Sequence, residues 1–556
     1  MDLDRLANRL GLKTDPVIFF SAAAFMVVFA LALIIAPDPI GNAFGAGREW
    51  IVSNLGWFFI AGVNIWLGFL LWIAASRYGH IRLGGRDSKP DYSSVSWFTM
   101  LFAGGIGTVL MFWGVAEPMS HFATPPLPGV EPHSPEAAQD AISISLYHLG
   151  LHTWTIFTLP GLAFAYFIYR YRLPVRVSSV FYPLLHDRIY GPWGKTIDVV
   201  AILGTLFGVA VSLGLGASQI AAGLDELFGV GTGAFVQILI VAALTAVAVT
   251  SIVAGLDSGV KFLSNLNIGM AVALMVFVLI AGSTLLLLRG IVETAGLYLS
   301  NLPRLAFWND MLANVTPGGD DWGWQGNWTV FYWAWTVTWS PFMGLFVARI
   351  SKGRTIREFV LGVLFAPSLF TLVWFGIFGW QAMAFDGIGA GAREQMGEAA
   401  GQLSQAVADS IPLAMFAFLE NFPFTTFLQG FAVLIVAIFF ATSSDSASLV
   451  VDMLCTGEAH AGPVQQRLFW GIAEGTIAAL LIMLAGQAGL TALQQVITVV
   501  GLPIFCLVFL MIPALVIGLR NEDIDYITVG KRPTPEELLK GDEAEREYGP
   551  ASQPGE

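Results

Sequence analysis

Residues 327–346 read NWTVFYWAWTVTWSPFMGLF, a stretch with the length and apolar content of a membrane-spanning helix. Four rings recur at intervals that place them on one face of a helix: Trp335, Trp339, Phe342 and Phe346. Interfacial aromatic residues gather at the ends of a span, whereas this stripe runs through it. Pro341 frees a backbone carbonyl, so we expect a helix break there. An aromatic stripe at a break suits an organic cation, through cation–π attraction.

Composition extends this conclusion to the whole chain. Hydrophobic residues make up 56% of the 556 positions and charged residues 12%, against about 25% charged in soluble proteins. The net charge of −13 comes from short loops and an acidic tail, and it predicts no nucleic-acid partner. Cys455 and Cys506 both lie in or beside apolar runs, which excludes a disulfide framework. No nucleotide-binding loop or metal motif is present, so we expect a transporter and not an enzyme.

Working outward from residues 327–346, the hydropathy predicts an all-α polytopic membrane protein with twelve transmembrane helices. The predicted spans are 17–36, 54–76, 95–116, 143–169, 196–222, 233–256, 265–288, 328–349, 358–385, 426–452, 467–488 and 492–519. With both termini cytoplasmic, most of the 27 Lys and Arg residues fall inside, as the positive-inside rule requires. We expect an uncleaved first span and location in a bacterial inner membrane.

Two other spans contain residues that are unusual in a bilayer. The third contains FAGGIGTV, residues 102–109, which favours either close helix packing or a broken helix whose carbonyls bind a cation or solute. The tenth contains FFATSSDSAS, residues 439–448. Thr442 and Ser443 offer hard oxygens to a small cation, and Asp445 needs a partner. The alternative is hydrogen bonding between helices.

The fourth span contains YHLGLHTWTIF, residues 147–157. His148 and His152 are four residues apart, so a metal pair is one interpretation. No carboxylate at helical spacing joins them, which favours core or capping histidines. Trp154 and Phe157 share a face with Gly150.

These stretches, together with MFWGVAEP (111–118), LFGVAVSLGLGASQI (206–220) and SPFMGLFVARISKGRTIREF (340–359), resemble the betaine/choline/carnitine transporter family from about residue 15 to residue 525. The resemblance implies a five-plus-five inverted repeat (LeuT-like) preceded by two extra helices, and a homotrimer. It divides the chain into a cytoplasmic N-terminus (1–16), two peripheral helices (17–94), a first repeat (95–288), an external connector with a surface helix (289–327), a second repeat (328–519) and an acidic disordered cytoplasmic tail (520–556).

The resemblance also implies two neighbouring sites. A substrate site would lie between the third, fourth and eighth spans, formed by Gly105, Gly107, Trp113, Leu149, Trp154, Phe157, Trp335, Thr336, Trp339 and Phe342. A sodium ion would bind the hydroxyls of Thr442 and Ser443 and the carbonyls of Ala103, Ile106 and Phe439. No Lys or Arg within the core spans replaces that cation.

The chain departs from the family pattern at several positions. Leu149, Phe157 and Thr336 stand where betaine carriers have larger or more polar aromatic residues. Val109 stands where choline-type members tend to have an acidic residue. Thr205 matches one residue of a second sodium site in the family, but Val209 and Phe157 lack the oxygens that this site needs. These changes predict a weaker cage for trimethylammonium groups and a near first-order sodium dependence.

The sequence thus predicts a sodium-coupled symporter for a small zwitterionic or quaternary-ammonium solute, with glycine betaine first. Related osmolytes and amino-acid-like solutes are alternatives. Sodium-independent exchange of the carnitine type is a further one, although its members carry a fixed positive side chain that this chain lacks. An osmosensor role is disfavoured because the tail is acidic, whereas osmosensing members have long basic tails.

Overall fold

The computed structural model describes residues 3–105, 107–254, 257–311, 323–485 and 490–522. Within these ranges every extended regular element is a helix, and the one β-bridge pairs Arg82 with Thr355. The N-terminal helices are α1 (Leu3–Arg9), α2 (Pro16–Ile35), α3 (Pro37–Ala75), α4 (Ser94–Gly105), α5 (Gly107–Ala123), α6 (Pro135–Leu149) and α7 (Leu151–Phe164).

The remaining helices follow in chain order. The middle group comprises α8 (Tyr182–Leu185), α9 (Pro192–Phe228), α10 (Ala234–Ala254), α11 (Asp257–Ala281), α12 (Thr284–Ala306), α13 (Gly323–Asn327) and α14 (Thr329–Ile350). The last group comprises α15 (Ile356–Asp386), α16 (Ala390–Met396), α17 (Gln402–Asp409), α18 (Ala414–Leu419), α19 (Thr425–Thr456), α20 (Val464–Ala485) and α21 (Leu490–Arg520).

Eleven helices in the described ranges are long and apolar enough to cross a membrane, which agrees with a polytopic membrane protein. All predicted spans except the third and the eighth correspond to one of them, and α12 is an additional member. Helices α4 and α5, 12 and 17 residues long, cover the third predicted span on either side of residue 106, which lies outside the described residues. The twelve-span count and the inverted repeat remain predictions.

The eighth span, α14, lies at the centre of the molecule, where it packs against α7, α9, α21 and α3. Its 22 residues are buried except for half-buried Phe346 and exposed Arg349. Trp, Tyr and Thr lower its hydropathy, but neighbouring helices shield them from lipid. The expected break at Ser340–Pro341 is wrong, because α14 continues through Pro341. Proline removes one backbone hydrogen bond, and the packing on all sides holds the helix together.

Several further boundaries differ from the predictions, including the start of the second span, which lies at Pro37 instead of residue 54. The seventh span ends at Ala281 instead of residue 288, and α12 begins at Thr284. Helix α12 buries one stripe of side chains, including Leu287, Thr294 and Tyr298, against α15 and α6. The fourth span begins earlier, at Pro135, and is divided at Gly150 between α6 and α7.

The segment between α5 and α6 and the segment that follows α15 meet at Asp386, which is fully buried. Its carboxylate accepts the Ser404 backbone N–H at 2.9 Å, and His133 and Arg393 approach it at 3.5 Å. Burial lowers the pKa of His133, Arg393 lowers it further, and Asp386 opposes both. Most of the predicted tail, residues 523–556, lies outside the described residues.

Candidate functional site

A cavity that opens to solvent lies beside the aromatic face of α14. Four helices contribute its lining, which consists of Val109, Leu110, Leu149, Thr153, Trp154, Phe157, Tyr332, Trp335, Thr336 and Trp339. These described lining residues include no charged side chain. A cavity walled by rings and methyl groups, with the threonines Thr153 and Thr336 in its lining, suits a small solute whose cationic part is spread over alkyl groups.

The break between α6 and α7 shapes one wall of the cavity. Gly150 caps both helices, so Leu149 ends α6 and Trp154 lies in the first turn of α7. The Leu151 N–H lies in the first turn of α7 and has no acceptor within that helix. It donates to the Tyr298 hydroxyl of α12 at 3.2 Å. The rings of Trp154 and Phe157 then meet edge to face at 5.6 Å.

The opposite wall is held by a serine of α9. The indole N–H groups of Trp335 and Trp339 both donate to the Ser212 hydroxyl, at 3.0 and 3.1 Å. That hydroxyl donates to the Gly208 carbonyl at 2.8 Å. A Cβ on Gly208 would lie 2.9 Å from the Trp339 ring, so glycine permits this close approach of α9. One buried hydroxyl therefore fixes both indoles.

Three predicted substrate residues, Trp113, Phe342 and Gly107, lie outside the described lining. Trp113 packs its ring 5.5 Å from that of Tyr332, and Phe342 packs 5.7 Å from Trp339, so both support lining rings from behind. Gly107 begins α5, and a Cβ there would overlap the Phe439 ring. The prediction for Gly105 is not tested, because only the helical backbone of residues 102–105 is described.

The predicted sodium residues are only partly described. Thr442 is buried, and its hydroxyl donates to the carbonyls of Ile438 and Phe439 at 2.8 and 3.1 Å. Two of the five predicted oxygens, those of Thr442 and Phe439, are thus adjacent. Ser443 is half-buried. Ile106 lies outside the described residues, and Ala103 is described only as helical backbone, so the complete ligand set remains a prediction.

Asp445 has partners on two other helices. Arg467 of α20 approaches its carboxylate at 3.7 Å, and the Ser251 hydroxyl of α10 donates to it at 3.3 Å. Nearby, the hydroxyls of Ser444 and Ser448 face fully buried Glu474 at 3.0 and 3.5 Å. Some polar residues of the tenth span therefore form hydrogen bonds and ion pairs between helices, which is the alternative that the sequence left open for this span.

The histidines of the fourth span are separated by the break at Gly150. His152 contacts the Asn64 side chain at 3.0 Å. His148 contacts Glu117 of α5 at 2.6 Å and the Thr329 hydroxyl at 3.0 Å. With His121, also on α5, these residues form a fully buried Glu/His group. The sequence offers no carboxylate at helical spacing from His148, and Glu117 of α5 supplies one from another helix.

Sequence reasoning missed several of these residues. Tyr332 lies one turn before Thr336 on the face already identified, so helical spacing alone could have found it. Thr153 lies one turn before Phe157, a residue already assigned from the sequence, so the same spacing could have found it. Ser212 and Glu117 lie far from the rings in the sequence, and only tertiary packing brings them together.

The chain is similar to known membrane transporters. A model of the betaine/carnitine/choline family of transporters matches residues 17–524. The ectoine/glycine betaine/proline transporter EctP of Corynebacterium glutamicum is 46% identical over 515 residues, which cover 93% of this chain and 82% of that protein. The glycine betaine transporter 1 of Vibrio parahaemolyticus is 40% identical over 522 residues, which cover 93% of this chain and 95% of that protein.

Proposed function

Because the chain belongs to the betaine/carnitine/choline family of transporters, we propose that it is a sodium-coupled symporter for a small zwitterionic compatible solute, with glycine betaine first. The observation that supports this most strongly is the uncharged cavity with Trp154, Trp335 and Trp339 in its walls. A desolvated cation on an aromatic ring gains about 2 kcal/mol, and a cation spread over alkyl groups loses little hydration on entering.

The solute range follows from the parts of the cage that are not aromatic. Leu149 and Thr336 replace rings with smaller side chains, and Thr153 and Thr336 bring hydroxyl-bearing side chains to the lining. Such a cavity accepts a cyclic or less methylated solute as well as a trimethylammonium group. The EctP relative is a transporter of ectoine, glycine betaine and proline, which supports ectoine and proline as the next candidates.

Sodium is the proposed driving ion because the hydroxyl pair Thr442–Ser443 is complete. The adjacent oxygens of Thr442 and Phe439, 3.1 Å apart, support a cation position beside the start of α5. We propose one coupled sodium ion, since Val209 and Phe157 offer no side-chain oxygen to a second. The protein would lie in a bacterial inner membrane with both termini cytoplasmic, as a homotrimer.

The test is uptake of labelled glycine betaine by proteoliposomes that contain the purified protein. An inward sodium gradient should drive accumulation that a potassium gradient of equal size does not, with a Hill coefficient for sodium near one. Unlabelled ectoine and proline should compete. Equal uptake in sodium and potassium would reject sodium coupling, and exchange that depends only on internal solute would favour the carnitine-type alternative.

A further inference from the structure

A polar group lies directly behind the cavity wall and is not part of the proposed solute or sodium site. It joins Glu117 and His121 of α5, His148 of α6 and Tyr332 of α14. Tyr332 donates its hydroxyl to one Glu117 oxygen at 2.7 Å. The other oxygen lies 2.6 Å from His148 Nδ1 and 3.5 Å from His121 Nε2. All four side chains are buried to 99% or more.

The contacts of Glu117 show that this group must contain a proton that compensates the charge of the carboxylate. A buried carboxylate is costly unless a proton or a cation compensates its charge. The described Lys and Arg side chains form no ion pair with Glu117, and its near neighbours are the two histidines. A separation of 2.6 Å is that of a hydrogen bond to a charged group, so one proton lies between Glu117 and His148. His121 Nε2 has no hydrogen-bond partner in the described structure and is a second base.

Other titratable groups surround this group on three helices. Tyr147 on α6 packs its ring 5.3 Å from that of His148. His152 on α7 and Tyr298 on α12 lie beyond Tyr147. The Thr329 hydroxyl on α14 contacts His148 Nε2. None of these neighbours carries a fixed charge, so protons on Glu117, His121 and His148 determine the net charge of the group.

The geometry favours a proton over a metal ion. Two ligand atoms on tetrahedral zinc lie about 3.3 Å apart, given metal–ligand bonds of about 2.0 Å. Glu117 and His148 are closer than that, and the second ring nitrogen of His148 already contacts Thr329. Their present arrangement is a hydrogen-bonded chain.

We propose that Glu117, His148 and His121 form a proton-binding site that is coupled to solute binding through Tyr332. The ring of Tyr332 lines the cavity, whereas its hydroxyl holds Glu117. A cationic headgroup beside that ring raises the cost of a proton on the far side of it. Solute binding should therefore release a proton, and affinity should rise with pH. This inference rests on the proposed solute class.

The experiment measures protons directly on the detergent-solubilised full chain. Glycine betaine is titrated calorimetrically in buffers of different ionisation enthalpy, between about pH 5.5 and 8.5, where histidines and coupled groups titrate. The unmodified protein should release a fraction of a proton, and its dissociation constant should fall with pH by at most about tenfold per unit, the limit for one linked proton. Added zinc chloride should leave both quantities unchanged.

Two variants locate the proton. Glu117→Gln should bind glycine betaine without proton release. Asp198→Asn is the matched control, because Asp198 is a buried carboxylate on α9 that accepts the Ser178 N–H and hydroxyl at 2.8 and 2.7 Å and lies outside the cavity lining. On binding glycine betaine, Asp198→Asn should release as many protons as the unmodified protein does. If Glu117→Gln does not fold, His121→Asn replaces it and should reduce the release.

The outcomes separate this inference from the proposed function. Binding with no proton exchange at any pH, or exchange that survives unchanged in Glu117→Gln, would overturn the coupling alone. No binding heat with glycine betaine, ectoine or proline would overturn the proposed function and the coupling with it.

Discussion

The aromatic cavity and the hydroxyl pair of α19 are two parts of one proposed transport site, but they depend on the fold in different ways. The cavity rings of α14 lie on one face of a continuous helix, and Ser212 fixes two of them. In the proposed sodium site, the pair Thr442–Ser443 is completed by backbone carbonyls of the third predicted span. Regular helical spacing therefore determines the solute wall, whereas the proposed cation position depends on oxygens from separate helices.

The largest expected effect comes from the rings. Trp339→Leu or Trp335→Leu keeps an apolar side chain but removes the π face, which is worth about 2 kcal/mol to a desolvated cation. The half-saturation constant for glycine betaine should rise by roughly thirtyfold. Trp333→Leu, the same change on another face of α14, where the ring stacks on His152, should leave that constant within about twofold. A similar rise in all three variants would mean that the effect is structural.

This contrast also shows what the sequence could predict. The spacing of Trp335 and Trp339 was sufficient to place them together, and Trp154 followed from the family resemblance. The expectation at Pro341 failed because the loss of one hydrogen bond is offset by packing on all sides of α14. Ser212 and Glu117 could not be assigned, because a hydroxyl or carboxylate in a long helix acquires its role only from the helix packed against it.

The hydroxyl pair should have the next largest effect. Replacing Thr442 and Ser443 together by alanine removes two of about five oxygens, each worth roughly 1.5–3 kcal/mol when bonded to a charged group. Sodium-driven uptake in proteoliposomes should fall at least tenfold. Thr476→Ala is the control, since that exposed hydroxyl bonds only the Ile472 carbonyl of its own helix. Unchanged uptake in the double variant would remove α19 from the cation site.

Replacing Ser212 should have a smaller effect, which is confined to solute binding in the cavity. Ser212→Ala leaves two buried indole N–H groups without their acceptor, and we expect about 1 kcal/mol of lost binding, or roughly a fivefold rise in the half-saturation constant. Its sodium dependence should not change. Ser218→Ala, on the same helix, removes a hydroxyl that bonds only the Leu215 carbonyl and serves as the control. A changed sodium dependence in Ser212→Ala would show that the two parts are not separable.

The smallest expected effect concerns which solute the cavity fits. Thr336 is buried except for the edge that lines the cavity, and Thr336→Trp restores a ring at a position where the family resemblance implies one. If glycine betaine is the native solute, its half-saturation constant should stay within about threefold or fall, because one added cation–π contact contributes at most about 2 kcal/mol. Ectoine and proline should compete less well, since the new ring fills the space that they need. Thr338→Val, on the buried side of α14 where the hydroxyl bonds the Trp335 carbonyl, controls for a general disturbance of the helix. If glycine betaine binds only to Thr336→Trp, the unmodified cavity was formed for another solute, and the small hydroxyl of Thr336 is then the residue that selects it.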